Sequence, residues 1–184
     1  MQRTVIVRSK TPATRAVIET LAAQLGRLLK RRRMTVTTAE SCTGGLVAGA
    51  ITSTSGSSDW FGEGFVTYSN DAKRASLGVT SRLLAAHGAV SEPVAEAMVQ
   101  GALKRTIADV AVAITGIVGP TGGSPEKPVG TVWFAWGERD GAIRTLRCHF
   151  DGNRRAVRDQ SVAVALKGLI RMVKSSSPSR RANG

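Results

Sequence analysis

"TVTTAESCTGGLVAGAI", Thr35 to Ile51, changes character at its middle. The run "MTVTTA" (34–39) is short and β-branched and reads as a strand. From Thr43 to Thr54 the sequence can form a helix despite its glycines. Between the two lie Ser41, Cys42 and Thr43, directly before Gly44 and Gly45. A strand that turns into a helix is the repeating unit of an α/β sheet, so the rest of the chain is read for the same alternation.

Upstream, Ile18, Leu21, Ala22, Leu25, Leu28 and Leu29 share one helical face, which predicts a helix over 14–32. Downstream, "GFVTYS" (64–69) reads as a strand. Ser69 or Asn70 can cap the helix that follows, which carries Lys73 and ends at Gly78. Helices are predicted at 80–88 and from Ser91 to about Lys104, with Pro93 in the first turn of the second. "ADVAVAIT" (108–115) is apolar enough to be covered on both faces. "GIVGPTGGSPEKPVG" (116–130) is a Gly/Pro loop, and "TVWFAWGE" and "IRTLRCHF" flank "RDG" as a hairpin. A last helix runs from Arg154 to about Met172. The pattern predicts a single three-layer α/β/α domain with a mixed, mostly parallel sheet of about five strands. It divides the chain into a basic extension (1–13), the domain (14–172) and a disordered basic tail (173–184).

The 184 residues carry a formal charge of +13, which at first suggests nucleic acid. The distribution argues against it. Residues 1–33 hold +8 and residues 171–184 hold +4, leaving +1 on 34–170. The body is nearly neutral, and the charge belongs to the ends. No apolar run reaches the roughly 18–20 residues that span a bilayer, and no secretory signal is legible. Two cysteines, Cys42 and Cys148, make no disulfide framework. A cytoplasmic protein with no membrane partner is expected.

A serine at a strand-to-helix turn projects past the sheet, beside backbone N–H groups able to hold an oxyanion. Ser41 has that position, with Gly44 and Gly45 permitting close approach of a ligand. An equally simple reading makes Ser41 or Thr43 a helix cap. Cys42 is either a weaker nucleophile or a small buried hydrophobe. The only histidines are His87 and His149, neither well placed as a base, and G-x-S-x-G is absent. Lysine is the other possible base, since desolvation can leave it neutral near pH 7. Lys73 follows a strand on the first turn of a helix, where strand ends converge on one crevice, with Tyr68 nearby as a proton relay or substrate contact. The alternative is that Lys73 and Arg74 form a solvated face.

"SPEK" (124–127) matches S-x-x-K, but two prolines surround it and no helix turn unites the pair. Tyr68 and Lys73 have the wrong spacing for Tyr-x-x-x-Lys, and no G-x-G-x-x-G follows a strand. No Cys/His/carboxylate cluster has metal-ligand spacing, and neither metal nor organic cofactor is expected. "TGIVGPTGG" (115–123) offers backbone N–H groups with little side-chain bulk, or is an ordinary flexible loop. Arg154 and Arg155 open the last helix and can bind a phosphate there, or carry surface charge.

"TAESCTGG", "GSSDWFGEGFVTYSNDAK", "GAVSEP", "TGIVGPTGG", "EKPVGTVWFAW" and "FDGNRRAVR" occur in that order. Together they resemble the CinA family, and more closely its stand-alone C-terminal domain, over residues 15–172. The resemblance implies a nicotinamide mononucleotide amidohydrolase of pyridine nucleotide salvage, releasing ammonia and nicotinic acid mononucleotide. It implies Ser41 as nucleophile, Lys73 as its base and Tyr68 in an assisting role. Cys42, Thr43, Gly44 and Gly45, then Thr115, Gly116, Gly119, Gly122 and Gly123, would line the substrate site, with Arg154 at the phosphate. It also implies a homo-oligomer. The alternative is a non-catalytic nucleotide-binding module linked to competence or DNA damage.

Overall fold

The computed structural model describes Ile6–Ser9 and residues 13–176. Six strands form one sheet in the order β1-β6-β5-β4-β2-β3. They are β1 (Ile6–Ser9), β2 (Val36–Glu40), β3 (Phe65–Val66), β4 (Val110–Gly116), β5 (Thr131–Glu138) and β6 (Ile143–Phe150). The pairs β1/β6, β2/β3 and β2/β4 are parallel, whereas β4/β5 and β5/β6 are antiparallel. The mixed, mostly parallel α/β sheet is as the sequence predicts, with one strand more. That strand is β1, inside the stretch read as a basic extension; Ile6 to Ser9 pair with Arg147 to Phe150.

Helices α1 (Arg15–Arg32), α2 (Leu46–Thr52) and α6 (Arg154–Ser175) cover one face, packed on Val112, Ile114, Phe134 and Phe150. Helices α3 (Asn70–Leu77), α4 (Ser81–His87) and α5 (Glu92–Arg105) belong to the other, around Ala111, Ala113 and Ala135. Central β4 is buried on both faces, which is why its sequence does not alternate. The alanines it points at α5 let that helix lie close to the sheet. Gly101 brings α5 against the end of α3: a Cβ there would meet the Leu77 carbonyl oxygen at 2.0 Å.

The predicted boundaries shift where side chains intervene. β2 begins at Val36 because Arg33 takes a left-handed conformation (φ 53°) and the Met34 N–H closes α1 on the Leu29 carbonyl. The strand read as 64–69 pairs only at Phe65–Val66, because the next carbonyls turn toward Lys73. α6 extends to Ser175. The tail expected beyond it falls, from 177 onward, outside the described residues. Among the described residues no helix is long and apolar enough to cross a membrane.

The topology gathers one edge. The carboxyl ends of β2, β3, β4 and β6 and the amino end of β5 lie together. The 41–45 turn, the start of α3, the 117–130 loop and the start of α6 are therefore neighbours. The chain leaves β2 toward β3 on one side and β4 toward β5 on the other, and such a switch point opens a crevice at the strand ends.

Candidate active site

Ser41 is the first residue after β2, and its N–H donates to the Ile114 carbonyl at 2.9 Å, which fixes it at the end of β4. Lys73 lies on the first turn of α3, whose start is set by Ser69 accepting from the Ala72 N–H. Across that edge the Lys73 Nζ and Ser41 Oγ are 2.9 Å apart. The other partners of Nζ are two carbonyl oxygens, Thr67 at 2.8 Å and Tyr68 at 3.3 Å.

Lys73 is 1% exposed, and its ammonium forms no ion pair among the described residues. Burial pulls its pKa below the ordinary lysine value, opposed by the neighbouring Cys42. A neutral amine has two N–H groups and one lone pair. Nζ donates to Ser41 Oγ and to both carbonyls; on deprotonation the carbonyls can keep the two N–H groups and leave the lone pair facing Ser41. Lys73 is no solvated face. Arg74, beside it, is the solvated one, in an exposed pair with Asp71.

The capping alternative for Ser41 is not what the structure contains. The cap of α2 is Glu40, whose carboxylate accepts from the N–H groups of Gly45 (3.0 Å), Val47 (3.0 Å) and Ala48 (2.8 Å). Thr43 caps nothing either: its hydroxyl is buried without a hydrogen-bond partner. Gly44 and Gly45 have φ of 59° and 91°, the left-handed turn that lets the loop pass from strand to helix. Cys42 is a buried hydrophobe. Desolvation pushes its thiol up to about 12, and the Glu40 charge adds to this, so Cys42 stays a thiol.

Tyr68 and Arg154 meet at the mouth of the crevice. The Tyr68 side chain is 61% exposed, and its hydroxyl accepts from Arg154 Nη2 at 3.0 Å. Arg154 Nη1 donates to the Gly119 carbonyl at 2.8 Å, tying the glycine loop to α6. Arg155 points elsewhere, exposed and paired with Asp159 at 3.7 Å. Tyr68 thus touches Lys73 through its backbone oxygen, while its phenol belongs to Arg154. Thr115, fully buried, donates its hydroxyl to the Ala89 carbonyl at 2.9 Å, anchoring the end of β4 under the loop. Gly116 pairs with Val132 at the start of that loop. Gly122 has a φ of 95°, and a Cβ on Gly123 would collide with the Val129 nitrogen at 2.8 Å.

Two residues of this edge went unread in the sequence. One is Glu40. The other is Arg158, whose Nη2 donates to the Thr43 carbonyl at 2.7 Å and so straps the loop to α6. Its spacing of four from Arg154 puts both arginines on one helical face, a signal that was available.

A buried lysine of lowered pKa lies against a serine at an α/β switch point, an arrangement chemically able to serve acyl transfer. The CinA C-terminal domain model matches residues 18–173, and the chain belongs to that family. Among its relatives, the nicotinamide-nucleotide amidohydrolase PncC of Escherichia coli K12 is 59% identical over 81% of this chain and 90% of its own length. The protein of that name from Pseudomonas putida is 55% identical over 84% of this chain and 96% of its own. The crystal structure of the competence/damage inducible protein CihA from Agrobacterium tumefaciens superposes with a TM-score of 0.84 at 46% identity, covering 86% of this chain and 96% of that one.

Proposed function

We propose that the protein hydrolyses the carboxamide of nicotinamide mononucleotide to nicotinic acid mononucleotide and ammonia, serving pyridine nucleotide salvage. The observation that carries this is the 2.9 Å approach of Lys73 Nζ to Ser41 Oγ in a buried setting that pulls the lysine pKa down. The names of the E. coli and P. putida relatives supply the substrate.

Lys73 accepts the Ser41 proton as Oγ attacks the amide carbonyl. The carbonyl oxygen becomes an oxyanion beside the backbone N–H groups that directly follow Ser41. Lys73 then gives its proton to the departing nitrogen, ammonia leaves, and the nicotinoyl group remains esterified to Ser41. Water, deprotonated by the same amine, releases the carboxylate and restores the hydroxyl. Tyr68 assists by orienting Arg154. Arg154 gives up its contacts with Gly119 and Tyr68 to hold the substrate phosphate as a charge-assisted pair. Thr115 and the loop at Gly116, Gly119, Gly122 and Gly123 line the opposite wall. No metal or organic cofactor enters any step.

A cytoplasmic, homo-oligomeric enzyme completes the proposal, with the oligomer read by light scattering. The test is ammonia release from nicotinamide mononucleotide by the purified protein and by Ser41→Ala. Release by the parent, abolished in the variant, is expected. A parent that binds the nucleotide without releasing ammonia is instead the non-catalytic module.

A further inference from the structure

We propose that Glu40 is the positioning residue of the nucleophile, a buried carboxylate that locks the Ser41 turn and leaves the amides of Cys42 and Thr43 to receive the oxyanion. The inference rests on the reading of Ser41 as nucleophile. Glu40 ends β2, and its side chain is 0% exposed. One oxygen accepts from the Gly45 and Val47 N–H groups at 3.0 Å each, and the other from Ala48 at 2.8 Å. A hydroxyl cap reaches one amide; this carboxylate reaches three, across the whole turn that follows Ser41. Its backbone is held too: the carbonyl accepts from the Thr67 N–H at 2.8 Å, on the segment whose carbonyls hold Lys73. Nucleophile and base are thus tied through a single residue.

The same bonds sort the loop amides. Gly45 is committed to Glu40, Gly44 to the Ser41 carbonyl at 3.1 Å, and Leu46 to the Thr43 carbonyl at 3.3 Å. Among the described residues, no backbone carbonyl or side-chain oxygen accepts from the Cys42 or Thr43 N–H, and the Cys42 N–H meets only its own sulfur. Arg158 holds the Thr43 carbonyl, on the peptide that follows. The glutamate also answers the positive end of α2 internally. The N-terminal amides of α2 therefore serve the fold, and oxyanion binding falls to the two amides that precede them.

Glu40→Gln keeps size and removes one acceptor oxygen, turning an N–H donor toward an N–H donor. The variant is compared with the parent after correction for folded fraction by near-UV circular dichroism. The kcat for ammonia release is expected to fall about 100-fold, with KM within about threefold, because Glu40 touches no substrate. A corrected kcat within about threefold of the parent overturns the proposal. Amide hydrogen exchange by NMR needs no substrate and decides the matter even if the parent does not hydrolyse the mononucleotide. Gly45, Val47 and Ala48 should exchange at least about tenfold faster in Glu40→Gln, with Val110–Gly116 unchanged. Equal exchange in the two proteins sinks the clamp. Should Glu40→Gln not fold, Glu40→Asp, which keeps the charge but falls short of the amides, gives the same readings.

Discussion

Ser124 with Lys127 and Ser41 with Lys73 set a sequence pattern beside a spatial pair, and their contrast separates pattern from chemistry. Ser124 and Lys127 sit three apart in the glycine loop. There the Ser124 hydroxyl bonds to the Glu126 carboxylate at 2.9 Å and Lys127 Nζ to the His87 carbonyl at 2.9 Å, both in exposed settings. Ser41 and Lys73 are 32 residues apart, yet 2.9 Å apart in space, and buried. Ser124 and Lys127 thus face other partners and not each other. Burial lowers the Lys73 pKa from its ordinary value and brings the amine form closer. Sequence spacing is therefore a poor guide to a serine–lysine dyad, and the dielectric around the lysine is the better one.

The largest expected effect breaks the buried pair. Ser41→Ala and Lys73→Ala should each lower kcat for ammonia release by about 10,000-fold, since members of one catalytic unit fail together. Ser124→Ala and Lys127→Ala should stay within about twofold. Comparable losses at both pairs, read by steady-state kinetics, would dissolve the distinction.

Arg154→Ala should raise KM for the mononucleotide about tenfold or more, the worth of one charge-assisted contact, with a smaller effect on kcat. Tyr68→Phe should cost less, since it removes only the acceptor that orients Arg154.

Stability sharpens the comparison further. Gly101→Ala should lower stability by about 3 kcal/mol in chemical denaturation, because its Cβ would lie 2.0 Å from the Leu77 oxygen behind the lysine helix. The smallest effect is electrostatic. The folded state lowers the Lys73 pKa from 10.5, so between the folded value and 10.5 the unfolded chain binds more protons. Lys73 therefore penalises folding fully below its folded pKa, and the penalty is relieved as pH rises toward 10.5. Subtracting the melting curves of Lys73→Met should leave the parent with the steeper rise in Tm with pH, and no difference in slope would contradict the buried amine.

The sequence made the sheet legible where periodicity or composition was strong. The α1 stripe, the apolar β4 and the β5/β6 hairpin all appear at or near their predicted limits. β1 was hidden: its partner lies some 140 positions away and its basic neighbours disguise a short apolar run. Ser41, Lys73 and Arg154 were visible as residues at strand or helix ends. Glu40 was not, because capping rules look for a small side chain at the helix start, whereas this carboxylate turns back from the strand five to eight positions upstream. The roles of Tyr68's phenol and carbonyl separate only in three dimensions.

The chemistry turns on one buried nitrogen, Lys73 Nζ, with its pKa drawn down. Direct NMR titration of the Lys73 side chain, assigned by its absence in Lys73→Met, measures it. The account predicts a midpoint below 10.5, the value of an exposed lysine, matching the acidic limb of the rate profile for ammonia release. A Lys73 that titrates together with the exposed lysines, while the rate rises at a lower pH, would contradict it.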